Sequence, residues 1–170
     1  MTASTAPAAP RRGGSSNDDA QLVFLRRRRY SRVCAMRFLY QADQAGTWTI
    51  SSDDLTRFWD QVATLEDVPG EADREATRAY AEKLIFGVAQ HREAIDERIT
   101  AICTNWKLDR LATIDRNLLR LAACEILYGD GEVPPLAAID EAIEIAKEFG
   151  DKESSRFING ILDRLLKDPK

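Results

Sequence analysis

From residue 22 to residue 166 apolar side chains recur three and four positions apart, and no stretch alternates β-branched and aromatic residues at period two. Strands need the second pattern and helices the first, so the fold class read from the chain is all-α. Val33, Met36 and Tyr40 mark the inner stripe of a first helix over residues 23–45, which Gly46 stops. Ser51, Ser52 and Asp53 are N-cap candidates for a second, whose Leu55, Phe58, Trp59 and Val62 turn inward before the break at Pro69 and Gly70. Residues 71–103 suffice for two helices or for one bent near Gly87, with Leu84, Ile85, Val88, Ile95, Ile99 and Ile102 on the core face. Residues 111–128 are apolar on more than one side, as expected of a central helix packed by several neighbours. After a Gly and Pro turn at 129–135, Ile139, Ala142, Ile143 and Ala146 repeat at helical spacing, and Gly150 takes the place of a left-handed C′ residue. A last helix opens at 151–154 and buries Phe157, Ile158, Ile161, Leu162 and Leu165.

A chain of 170 residues, 44% hydrophobic, can bury one sizeable core. Residues 1–21 are Ala, Ser, Thr, Pro and Gly with almost no large apolar side chain, too little to offset the entropy of ordering. They are expected to be a disordered tail, and residues 22–170 the folded domain. Cys34, Cys103 and Cys124 are odd in number, far apart, and without a second Cys or His at ligand spacing, so they read as reduced, buried thiols of a cytoplasmic protein. His91 is the single histidine, which leaves little from which to build a metal site or a Ser-His-Asp triad. Neither enzyme activity nor a metal or cofactor is expected. No run approaches the roughly 20 consecutive apolar residues that span a bilayer. Gly129-Asp130-Gly131 lacks the preceding strand and the lysine of a phosphate-cradling loop.

The charge is distributed unevenly. Residues 1–37 carry eight arginines against two aspartates, a net +6, which leaves −10 on the remainder of a chain whose total is −4. A basic arm on an acidic body suits a polyanion partner. Its densest part, Arg26-Arg27-Arg28-Arg29-Tyr30-Ser31-Arg32, reads as the first turns of the first helix, where adjacent positive charges oppose the macrodipole at roughly 0.3–1 kcal/mol each. Something other than helix stability must favour them. Guanidinium groups grip phosphates and stack on bases, and Tyr30 adds an aromatic face, although composition alone leaves a solvated basic surface equally open. The acids Asp109, Asp140 and Glu144 read as solvated helix faces rather than catalytic pairs. Glu125, set among apolar residues, reads as a structural group at the edge of the core or held by a hydrogen bond. Trp48, Trp59 and Trp106 read as core or hinge anchors, and His91 as an exposed helix residue.

Three blocks in order resemble the NusB family. The first runs from Arg28 through Tyr30, Ser31, Arg32, Ala35 and Arg37 to Leu39 and Tyr40. The second runs from Trp106 and Leu108 through Asp115, Arg116 and Arg120 to Ala122. The third, the most specific, is Val133-Pro134, then Ala138 to Lys147, Phe149-Gly150, and Ser154 to Leu162 with Phe157-Ile158-Asn159-Gly160 inside it. Together they cover residues 26–167. The resemblance implies about seven helices in two small packed bundles. It also implies a transcription antitermination factor that binds the boxA element of nascent ribosomal RNA beside the ribosomal protein NusE, within the RNA polymerase antitermination complex. Carried over by position, RNA contacts fall on Arg28, Arg29, Arg32 and Arg37, and on Phe149, Gly150, Lys152, Glu153, Ser154 and Arg156. Glu153 departs from relatives with Asp there. Asp115, Arg116 and Arg120 are the expected partner-binding face. A homodimer that covers the RNA-binding face, as in some relatives, stays open. So do two other readings: an RNA-binding accessory domain for a ribosomal RNA methyltransferase, for which the chain has no catalytic motif, and a helical scaffold whose arginines bind nothing.

Overall fold

The computed structural model describes residues 16–64 and 71–168. Six α-helices run in the order α1 (Ser16–Ala45), α2 (Ser52–Ala63), α3 (Glu71–Ile102), α4 (Thr113–Tyr128), α5 (Pro135–Phe149) and α6 (Ser154–Lys167), with one 3₁₀ turn at Leu108–Arg110. No strand occurs among the described residues. Of the expected tail, residues 1–15 lie outside the described ones and residues 16–21 are the first turns of α1. That helix therefore starts well before residue 23.

Sequence chemistry accounts for the boundaries. Ser51 caps α2 in a reciprocal box: its hydroxyl accepts from the Asp54 N–H, and the Asp54 carboxylate accepts from the Ser51 N–H at 3.1 Å. Gly46 ends α1 at φ 66°, a conformation that suits glycine. Pro135 opens α5, where a missing N–H costs nothing. α4 touches α1, α3, α5 and α6, so one continuous core joins the α1–α3 group to the α4–α6 group. Its Leu118, Leu119, Leu121 and Ala122 are all buried. α2 is held to α1 by Phe58, packed edge to face on Phe38 at 5.3 Å.

Three expectations change. The third segment is a single helix, which brings about seven helices to six. The helix runs unbroken through Gly87, where a Cβ would lie 2.9 Å from the Cys124 Sγ, so this glycine lets α3 approach α4. Tyr40, expected on the inner stripe, is 40% exposed. Gly150 is not left-handed: its φ is −91° and its ψ −177°. The reason for glycine there is space, since a Cβ would meet the Ser154 Cβ at 2.6 Å and the Ala146 carbonyl oxygen at 2.8 Å. Gly150→Ala should accordingly cost about 1–3 kcal/mol, as overpacking does. Gly160→Ala, whose Cβ would meet nothing within 4 Å, should hold or raise stability as alanine replaces glycine in a helix. Thermal unfolding of the two variants side by side checks the contrast.

Candidate nucleic-acid interface

The arginines of α1 divide between two faces. Phe24, Arg28 and Arg32 follow one another at four-residue spacing and turn towards α3 and α4. The Arg28 guanidinium lies 3.7 Å from the Tyr80 ring centroid and 5.0 Å from that of Phe24, and its Nη2 donates to Glu132 at 3.1 Å. Arg32 is only 3% exposed. Its Nε and Nη2 donate to the two oxygens of Glu125 at 2.9 and 2.8 Å, and the Tyr80 hydroxyl closes the group by donating to the same carboxylate. Burial opposes the Arg32 charge, yet the hydrogen bond and charge of Glu125 outweigh it and raise its pKa. Burial, followed by the Glu125 charge, pushes the Tyr80 hydroxyl well above its ordinary value. Glu125 is the held, structural acid expected of it. Arg32 is a correction: a buried arginine paired on both edges cannot reach RNA.

The other face carries Arg26, Arg29 and Arg37. Arg26 is exposed, and Arg29 remains 45% exposed while gripping Glu141 of α5 through two bonds at 2.9 and 2.8 Å. The Arg37 guanidinium sits 5.5 Å from the ring centroid of Phe149. Residues far apart in the chain are thus brought to one surface, where the α5–α6 loop exposes Lys152 and Glu153, and the first turn of α6 exposes Arg156, beside half-buried Phe149 and Gly150. Ser154 differs from its neighbours in being buried; its hydroxyl accepts the Asp151 N–H at 2.8 Å and shapes the loop. Beside Phe149 an open trough continues over Met36, Tyr40, Phe58, Val62 and Ile114. Arg26 is an exposed group that precedes the residues of the first family block, and a helical wheel places it opposite the buried Ala35, Leu39 and Ala42.

The expected partner face is also corrected. Arg120 is buried and donates to both Asp96 oxygens at 2.7 and 2.8 Å, with Asp43 at 3.1 Å. Arg116 donates to Asp43 at 2.7 Å and to the carbonyls of Leu108, Asp109 and Leu111, tying the 3₁₀ turn to α1. Burial raises the Asp115 pKa against a hydrogen bond from Ser154. These side chains brace the interior where α4 meets its neighbours and are not a free binding surface. Tyr30, expected to flank the arginines, bonds inward to Cys34, whose thiol burial pushes up to about 11. His91 stacks on Tyr128 at 3.9 Å and is half-buried rather than exposed. Trp106, taken for an anchor, is 60% exposed. Among the described residues no group of three His, Cys, Asp or Glu could hold a metal ion, and no helix is long and apolar enough to cross a membrane.

The class is an all-helical domain built round one central helix, with arginines in a row along the first. A model of the NusB family matches residues 29–167, and the chain belongs to that family. The transcription antitermination protein NusB of Anaeromyxobacter dehalogenans is 45% identical over 139 residues, covering 82% of this chain and 89% of that protein. The Bacillus subtilis protein of the same name is 36% identical over 142 residues, 84% of this chain and 96% of that one. Among solved structures, NusB of T. maritima superposes with a TM-score of 0.65 at 33% identity, over 83% of this chain and 91% of that one. NusB in the crystal structure of the antitermination factors NusB and NusE with dsRNA gives 0.66 at 25% identity, over 84% and 97%.

Proposed function

We propose that this chain is a cytoplasmic transcription antitermination factor that binds single-stranded boxA-type RNA together with NusE, as part of an RNA polymerase antitermination complex. The family match over residues 29–167 carries the reading. Its physical support is the Arg37–Phe149 contact, which joins the basic row of α1 to the aromatic edge of the α5–α6 loop. Phosphates meet Arg26, Arg29 and Arg37; a base stacks on Phe149; Lys152 and Arg156 extend the path. Arg28 contributes positive potential from a half-buried position. The activity is binding, and no bond is made or broken.

Titration of a boxA-like single strand, its duplex and a scrambled strand, each with and without NusE, tests the reading. The boxA-like strand should bind tightest, and NusE should tighten it further. Equal affinity for all three RNAs, indifferent to NusE, would leave the scaffold reading in its place. Phe149→Ala should lose about 1–3 kcal/mol for one stacked base, with the salt slope unchanged because no charge is removed.

A further inference from the structure

The turn that ends α3 and the outer face of α6 enclose an open groove of about 410 Å³, whose wall carries Trp106. Burying an aromatic side chain removes about 150–250 Å² from water, yet this indole is left largely outside the core. Its backbone is ordered: the Cys103 N–H donates to the Ile99 carbonyl at 2.9 Å and the Trp106 N–H to the Cys103 carbonyl at 3.3 Å, so a hydrogen-bonded turn places the indole at the groove wall. Across the groove stand Arg156 and Arg164, both exposed, with half-buried Phe157 between them. Arg27, Arg29, Arg32, Arg116 and Arg120 all pair with carboxylates, whereas Arg156 and Arg164 enter no ion pair among the described residues. Among the described residues Glu153 is the one carboxylate lining the groove.

We infer that this groove is a second station for single-stranded RNA, in which a base stacks on Trp106 while Arg156 and Arg164 meet neighbouring phosphates. The inference rests on the RNA-binding reading and lengthens its path. The groove begins at Glu153 and Arg156, where the first strip ends, so one strand can run from Phe149 along α6. The step of eight positions from Arg156 to Arg164 spans about 12 Å of helix, the rise of three to four stacked nucleotides at about 3.4 Å each. An exposed indole flanked by guanidinium groups that enter no ion pair among the described residues is the combination that holds single strands without reading their sequence.

The probes are two boxA-like single strands, one of core length and one extended at both ends, titrated against the full chain and its variants. The parent should bind the extended strand more tightly. Trp106→Ala should lose roughly 5- to 140-fold on the extended strand and nothing on the core strand, with its melting temperature unchanged. Trp106→Phe should keep most of the affinity, and the extended strand should quench tryptophan emission of the parent more than that of this variant. Arg164→Gln should lower the salt slope for the extended strand by about 0.7. Equal binding of parent and Trp106→Ala to both lengths overturns the groove while leaving the first strip intact. Loss of NusE binding with RNA binding retained overturns it too, by making the groove a protein-binding face. A parent that binds neither strand overturns the RNA-binding reading itself.

Discussion

Arg32→Ala is expected to lower the melting temperature by roughly 6–20 °C and to leave the salt dependence of RNA binding unchanged. The side chains of Arg32 and Glu125 are each 4% exposed, so solvent does little to screen either charge. Truncating one partner leaves the other buried and unpaired, at a cost of about 3–5 kcal/mol, and a domain of this size loses about 2–4 °C per kcal/mol. The pair itself is not required for stability in the same measure. Arg32→Met combined with Glu125→Leu removes both charges, replaces them with apolar volume, and should recover most of the loss. Tyr80→Phe should cost less than the single arginine variant, because Glu125 keeps both Arg32 bonds. Urea unfolding of the three variants separates these cases. A single variant as stable as the parent would mean that Arg32 is not paired in the interior.

The position of Arg32 was available in the sequence, although the composition of its segment points elsewhere. Arg32, Met36 and Leu39 stand at i, i+4 and i+7, so the helix that buries the two apolar residues also buries the arginine. Glu125 was recognisable as a buried acid; which cation answers it depends on how α1 crosses α4, and spacing within one helix does not encode that. The same limit applies to Arg116 and Arg120, whose partners Asp43 and Asp96 lie on other helices. Helix starts were less legible than helix faces. Residues 16–21 have little apolar content, yet α1 runs through them. Arg26 to Arg29 consequently lie more than two turns inside the helix, beyond the first turn where a macrodipole penalty applies. The stops were clearer where backbone chemistry dictates them, as at Gly46, and misread at Gly150, where crowding by Ser154 and not φ selects the residue. Trp106 was misplaced for a related reason: an aromatic residue is apolar by composition, and only the tertiary fold decides whether a neighbour covers it.

Replacing Arg26, Arg29 and Arg37 together by glutamine should reduce the slope of log K against log salt by about 2, the three phosphate contacts each contributing about 0.7 for a single strand. The three lie on the outward face of α1, whereas Arg32, at similar density in the sequence, does not. Folding should be nearly unaffected. Arg29 is 45% exposed and its bond to Glu141 is a surface ion pair of the kind worth about 0–1 kcal/mol, so any large fall in melting temperature would disqualify the binding result. Affinity should drop for boxA-like and scrambled strands alike, because phosphate contacts carry no sequence information. Phe149→Ala gives the opposite pattern, weaker binding at constant slope. Arg28→Gln lies between, since its guanidinium is held by Tyr80 and Glu132 and acts through potential more than contact. A triple variant with the parent's slope and affinity across the salt range would remove the outer row of α1 from the RNA path and leave Lys152, Arg156 and the α6 groove to account for binding.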